Sequence, residues 1–157
     1  MYECANKYKF IENKPLQKLI IQADQVWLGS AWNEWTIPFI QKSIENLQKL
    51  NTNILVFGSK SFGIVKPHIF KFSPERDWSE LIGGDFKKLK MINNQLQKEV
   101  TSSNAIFINT QELLCQGKIQ CSNYQNGEII SYDGSHLTPY GAKLLGENLS
   151  KKLLLEL

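Results

Sequence analysis

The sequence is poor in the residues that mark several large classes of protein. It has a single arginine, Arg76, among 18 basic residues, and its net charge is only +3. The lysines are interleaved with Glu, Gln and Asn rather than gathered into blocks. A nucleic-acid surface clusters its charge and uses arginine for bidentate contacts, so this pattern reads as solvated surface and no nucleic-acid partner is expected. There are two histidines and three cysteines (Cys4, Cys115 and Cys121), with no Cys-x-x-Cys pair. A structural zinc site needs four such ligands at set spacings, so no metal is expected. No apolar run approaches the ~20 residues of a membrane span. Met1 to Phe10 mixes Glu3 with lysines and polar residues and lacks the apolar stretch of a secretion signal or an anchor.

What is present is the composition of a folded domain. Of the 157 residues, 42% are hydrophobic. That excludes a disordered chain and suffices for the core of one domain, 1–157. Lys14 to Gln22 reads as a helix with Pro15 near its start. Gln25 to Ser30 (QVWLGS) reads as a buried strand. From Thr36 to Leu50 the apolar residues Ile37, Ile40, Ile44, Leu47 and Leu50 step by three and four, which predicts an amphipathic helix with Pro38 in its first turn. Asn53 to Gly58 (NILVFG) is a second strand, so the unit is strand, helix, strand, and its strands should run parallel. Ser59 to Gly84 is a long irregular stretch. Asp85 to Val100 is a helix capped by Asp85. Asn104 to Asn109 (NAIFIN) is a third strand, and Gly127 to Tyr132 is a short extended piece. Thr138 and Pro139 open a last helix with the stripe Leu144, Leu145, Leu149, Leu153 and Leu154. The order is that of an α/β fold with a small parallel sheet covered on both faces. Ligands bind such sheets at the C-terminal strand ends. Gly29 to Trp35, Gly58 to Gly63 and the residues from Asn109 are therefore the places to look.

Asp133 and His136 lie three apart in a loop that leads into a helix. A carboxylate there can accept from one imidazole nitrogen and leave the other free to take a proton from a hydroxyl, as in a serine triad. The alternative is a surface loop in which Asp133 caps a turn and His136 is solvated. Cys115 and Cys121 flank QGKIQ, which suits a local disulfide in an oxidising compartment or, equally, two thiols in a reducing one.

Three segments carry a resemblance to a known family. VWLGSAWNEW resembles a strand followed by tryptophan, LLCQGKIQC a paired-cysteine loop, and YDGSHLTPYGAKLL a terminal Asp-x-x-His block with Leu-Thr and Gly-Ala at the start of the last helix. With these, the chain from Gln25 to its end resembles the SGNH (GDSL-like) hydrolases. It is most similar to the SGNH domain fused behind membrane-embedded acyltransferase-3 proteins, which O-acylate cell-surface glycans. The resemblance implies a three-layer α/β/α, flavodoxin-like architecture. It implies Asp133 as the orienting acid and His136 as the general base in acyl transfer to or from a carbohydrate hydroxyl. It also implies a Cys115–Cys121 disulfide, an extracytoplasmic setting, an acyl donor and a carbohydrate acceptor as substrates, and no cofactor.

The family's nucleophile is the serine of a Gly-Asp-Ser block, and no such tripeptide occurs here; the only Gly-Asp is Gly84-Asp85, followed by Phe86. The expectation is therefore a domain lacking its first strands, with QVWLGS as an exposed edge open to pairing, and with a missing segment or a membrane acyltransferase domain as partner. A non-catalytic, glycan-binding remnant is the alternative function.

The resemblance also implies an oxyanion hole built from a Gly and an Asn after neighbouring strands, for which Gly29 and Asn33 are the candidates. Trp32 is a candidate for a substrate platform, together with Trp35, or both fill the core. Ser30 and Ser135 are read as structural. Gly58-Ser-Lys-Ser-Phe-Gly63 is neither a nucleophile elbow nor a phosphate loop and is set aside. His68 reads as a surface residue, and the Asn148-Leu-Ser150 sequon as chance inside a helix.

Overall fold

The computed structural model describes residues 13–63, 85–118 and 120–155. Cys4, His68, Arg76 and most of the irregular stretch before Asp85 lie outside them. The described elements are α1 (Lys14–Gln22), β1 (Val26–Gly29), a 3-10 turn (Ile37–Phe39), α2 (Ile40–Gln48), β2 (Ile54–Phe57), α3 (Phe86–Ser102), β3 (Ile106–Ile108), α4 (Thr110–Leu114), β4 (Tyr124–Gln125), β5 (Glu128–Ile129) and α5 (Pro139–Leu155). The fold is α/β, as the sequence predicts. The chain forms two compact units. Among the described residues, one comprises 13–57 and 95–108, and the other 58–63, 85–94, 109–118 and 120–155.

The first unit holds the parallel sheet, in the order β1-β2-β3. Val26 pairs with Ile54 and Leu28 with Val56, and Leu55 in turn pairs with Ile106. Ile54, Leu55 and Val56 are almost fully buried, together with Ile37, Ile40, Ile44 and Leu47 of the predicted apolar stripe. Removing such side chains from water is the main favourable contribution to this core, about 1.5–3 kcal/mol each. Pro38 falls in the 3-10 turn that precedes α2, where its missing N–H does no harm. The side-chain amide of Asn51 donates to the carbonyls of Ile20 (2.9 Å) and Ala23 (2.6 Å), satisfying the end of α1.

Two expectations need correction here. β1 is not a buried strand: its residues alternate half-buried and exposed, and Trp27 is 55% exposed. Nor is the sheet evenly covered, because Ile106, which flanks Leu55 opposite Trp27, is 45% exposed. The sheet edges carry these apolar side chains, while the central strand alone has the fully buried pattern. Among the described residues β1 pairs with β2 only, as an edge strand does.

The second unit has its own apolar cluster of Phe62, Leu114, Cys115 and Ile130, lined by Cys121, Leu137, Tyr140, Leu144 and Leu145. The Cys115–Cys121 disulfide closes a six-residue step within it. Asp85 caps α3 by accepting from the Lys88 N–H at 2.9 Å, as predicted. α4 was not foreseen; Asn109 caps it by accepting from the Glu112 N–H. The extended piece near Gly127 is the second strand of a hairpin, β4 with β5, turned at Asn126 and Gly127, both with positive φ. Asn-Gly is the residue pair such a two-residue turn selects. Leu154, placed in the apolar stripe of the last helix, is 74% exposed. The stripe ends before it, with Leu149 buried.

Candidate functional site

The loop that carries Asp133 and His136 hangs from β5 and enters α5. Ser131 and Leu137 form an antiparallel bridge across its base. The His136 carbonyl accepts from the Tyr132 N–H at 2.9 Å and from the Ser131 hydroxyl at 2.8 Å. Asn123, almost fully buried, grips Ser131 from the side. Its amide oxygen accepts from the Ser131 N–H and its amide nitrogen donates to the Ser131 carbonyl, both at 2.8 Å. At the exit Thr138 does what a cap should: its hydroxyl accepts from the Gly141 N–H at 3.0 Å and donates to the Ile129 carbonyl. Gly141 is required there, since a Cβ would come within 2.1 Å of the Ile130 carbonyl oxygen.

Within this frame Asp133 uses both carboxylate oxygens. Oδ1 accepts from the backbone N–H groups of Ser135 (2.8 Å) and His136 (2.7 Å), and Oδ2 meets His136 Nδ1 at 2.6 Å. The His136 N–H bond, then the imidazole, then the Ser135 N–H favour the ionised form, and together they hold the carboxyl well below the usual carboxylate range. An ionised Asp133 selects the imidazole tautomer with its proton on Nδ1. Nε2 then carries a lone pair, and it has no partner among the described residues. The side chains are open to solvent, His136 at 83% and Asp133 at 51%. Asp133 thus caps a tight turn and meets the imidazole of a solvent-exposed His136.

The segment Gly58–Gly63, set aside on sequence, packs against this loop. The Phe62 N–H donates to the Gly134 carbonyl at 2.9 Å. Gly134 has φ +93°, and a Cβ on it would lie 1.7 Å from the Gly63 carbonyl oxygen. Asp-Gly in YDGSH is thus demanded twice, by conformation and by contact. Lys60 Nζ donates to the Ser135 carbonyl. Its burial lowers the amine's pKa, and the nearby Asp133 charge opposes that shift. Two buried amides pin the segment from behind. Asn93 accepts from the Ser59 N–H (2.8 Å) and donates to the Ser59 carbonyl (2.9 Å), while Gln111 accepts from the Ser61 N–H (2.9 Å).

Gly29, Trp32 and Asn33 belong to the first unit. Gly29 ends β1. The Trp32 indole N–H donates to the Phe57 carbonyl at 2.7 Å. The Asn33 amide oxygen accepts from the Thr36 N–H at 3.2 Å, closing a local turn. Trp35 is 71% exposed, so it does not fill the core. The Asn148 amide donates to the Leu113 carbonyl at 2.7 Å, which commits the sequon's asparagine to packing. Among the described residues no group of His, Cys, Asp and Glu could hold a metal ion. No described helix is long and apolar enough to cross a membrane. Lys60, Asn93, Gln111 and Asn123 escaped the sequence reading. Only the Asn-Gly turn beside Asn123 carried a local signal.

Comparison with known proteins places the chain in a family. The model of the SGNH domain that is fused to AT3 domains matches residues 4–151. No curated protein matches. Among solved structures, the periplasmic domain of the lipopolysaccharide acetyltransferase of Salmonella ser. Paratyphi A is similar, with a TM-score of 0.67 at 16% identity. The alignment covers 90% of this chain and 62% of that one, so the chain spans under two thirds of that domain's length.

Proposed function

Because the chain belongs to the family of SGNH domains fused to AT3 domains, we propose that it is part of an O-acyltransferase or esterase domain in which Asp133 orients His136 as general base. The observation that carries this reading is the 2.6 Å contact between Asp133 Oδ2 and His136 Nδ1, made by a carboxylate whose other oxygen is tied to two backbone N–H groups. In the proposed reaction Nε2 takes the proton of a serine hydroxyl as its oxygen attacks an acyl carbonyl. The imidazolium returns the proton to the departing alkoxide, leaving an acyl-serine. A carbohydrate hydroxyl, or water, then attacks the acyl-serine while Nε2 takes its proton, and the serine leaves with a proton returned.

The sequence holds no Gly-Asp-Ser tripeptide, so the nucleophile is assigned to a separate segment or partner. The same reading makes Gly29 and Asn33 oxyanion donors. In its support, the Asn33 amide nitrogen makes only a 3.5 Å contact with the Ala31 carbonyl, which leaves its hydrogens for a ligand. Trp32 would form part of the substrate wall. The partner would be a membrane acyltransferase domain, and the setting extracytoplasmic, with which the Cys115–Cys121 disulfide is consistent.

The test is hydrolysis of an aryl acetate, alone and with a polypeptide that supplies a Gly-Asp-Ser block. His136→Ala should cost roughly 10²–10⁴-fold in rate, the usual worth of a general base. Activity that survives the change would sink the assignment. The missing tripeptide also favours a second reading, a glycan-binding module without turnover. Glycan binding that persists in His136→Ala, with no hydrolysis under either condition, would select it.

A further inference from the structure

We infer that Lys60 is a positioning residue for the Asp133–His136 pair, its ammonium fixing the Ser135–His136 peptide, whose N–H is bonded to Asp133 and which carries the His136 side chain. The inference deepens the reading above and rests on it. The Ser135–His136 peptide has its N–H on Asp133 Oδ1 at 2.7 Å and its C=O on Lys60 Nζ. An anion therefore sits at the donor end of this peptide dipole and a cation at its acceptor end. Each charged partner polarises the amide in the sense that strengthens the other bond, and charge-assisted bonds are the strong ones. The peptide cannot rotate without breaking both. Its orientation sets where the His136 side chain leaves the backbone, and so whether Nδ1 reaches Oδ2.

Lys60 can serve this way because its own backbone is held. Ser59 before it is bound by Asn93 and Ser61 after it by Gln111, and both amides are essentially without solvent exposure. Phe62 is tied to Gly134, so the two loops are docked without the amine. The amine is then a local clamp on one peptide rather than the glue between the loops. That difference can be measured.

The experiment uses the 157-residue chain and ¹⁵N NMR at a pH where the imidazole is neutral. The unmutated chain should show one dominant His136 tautomer, protonated at Nδ1. Lys60→Met keeps the aliphatic stem and loses the charge. It should lose the dominant tautomer and shift the His136 amide proton upfield, with the Phe62 amide unmoved; Lys60→Arg should restore both signals. An unchanged tautomer in Lys60→Met overturns the proposal. So does loss of the Phe62 signal along with the tautomer, which would make Lys60 a general docking residue, and so does an arginine variant that restores nothing. If Lys60→Met does not fold, the unmutated chain decides. A Lys60 ammonium signal protected from solvent exchange supports the clamp, and one that exchanges as fast as those of the exposed Lys42 and Lys143 overturns it. None of these readouts uses turnover, so a failed esterase assay is distinguishable from a failed clamp.

Discussion

Ala31–Thr36 and Ser131–His136 are both short loops beyond a strand, and they are held in different ways. In the first, Asn33 and Thr36 bond each other's backbone, and Trp32 reaches out, to the Phe57 carbonyl. Thr36 Oγ1 accepts from the Asn33 N–H and donates to the Asn33 carbonyl, both at 3.0 Å, while the Asn33 amide oxygen accepts from the Thr36 N–H. In the second Asp133 caps the turn, and further restraint comes from outside the loop: Asn123 on Ser131, Phe62 on Gly134 and Lys60 on Ser135. A self-capped turn is stable but commits its acceptor oxygens to its own backbone. The loop braced from outside keeps Nε2 of His136 uncommitted while Nδ1 meets Asp133. External bracing of a solvent-facing His–carboxylate pair is therefore what sets the second loop apart from the first.

The comparison breaks most visibly at Gly134. Gly134→Ala puts a Cβ 1.7 Å from the Gly63 carbonyl oxygen at a φ of +93°. Backbone faces backbone, so neither side can move cheaply. A loss of about 3 kcal/mol or more is expected on denaturant unfolding, with collapse of the His136 tautomer signal. Gly29→Ala in the first unit is the control. A Cβ there meets nothing within 4 Å, and its cost should stay within about 0.5 kcal/mol. Equal costs at the two glycines would remove the distinction between the regions.

That contrast also explains what could be read from the sequence. Helices announced themselves through spacing: the Ile37-Ile40-Ile44-Leu47 stripe is buried as predicted, and Asp85 and Thr138 cap the helices they precede. Asp133 and His136 were legible because their relation is local, three residues apart. Lys60 was not, because its partner lies 75 residues on. Gln111 reaches 50 residues back and Asn93 34, each to a backbone atom. A backbone donor or acceptor has no residue identity, so no pattern of letters points to it. β1 was read both as a buried strand, from its apolar run, and as an exposed edge, from the absent first strands: an apolar run states that burial is favourable, not that a neighbour covers it. Of the β4–β5 hairpin only the extended piece from Gly127 was expected, although Asn126-Gly127 is a hairpin signal, and α4, at five residues, has too few turns to show a period.

A smaller effect is expected from the disulfide behind the braced loop. Its loop of six residues is worth about 2 kcal/mol of chain entropy. The Gln111 amide nitrogen also donates to Cys115 Sγ at 3.4 Å while its oxygen holds the Ser61 N–H. Replacing both cysteines by serine should lower stability by that amount and broaden the Ser59–Ser61 amide signals, leaving Asn33 and Thr36 unmoved. Asn33→Ala should do the reverse. It loses a turn bond worth about 0.5–1 kcal/mol and leaves the His136 signals in place. If Asn33 is also an oxyanion donor, the rate with an acyl ester falls by more than this stability loss explains.

The smallest expected effect on stability is that of pH on Asp133, because the carboxylate faces solvent and its charge is screened. Its folded-state pKa is depressed by the His136 and Ser135 N–H bonds and the imidazole. A depressed carboxyl adds stability that is fully present above the unfolded value of about 3.9 and is lost as pH falls through the folded value. The Ser135 and His136 amide protons should therefore hold their shifts down through the range where free carboxylates titrate, and move only in stronger acid. Asp133→Asn keeps the acceptor oxygen for the two N–H groups but removes the charge that fixes the imidazole. It should move the two amide protons at neutral pH in the sense that strong acid moves them in the unmutated chain, and lose the Nδ1-protonated tautomer. If those amides move together with the ordinary carboxylates in the unmutated chain, the turn is not held by an ionised Asp133, and the braced loop differs from the self-capped one in geometry but not in chemistry.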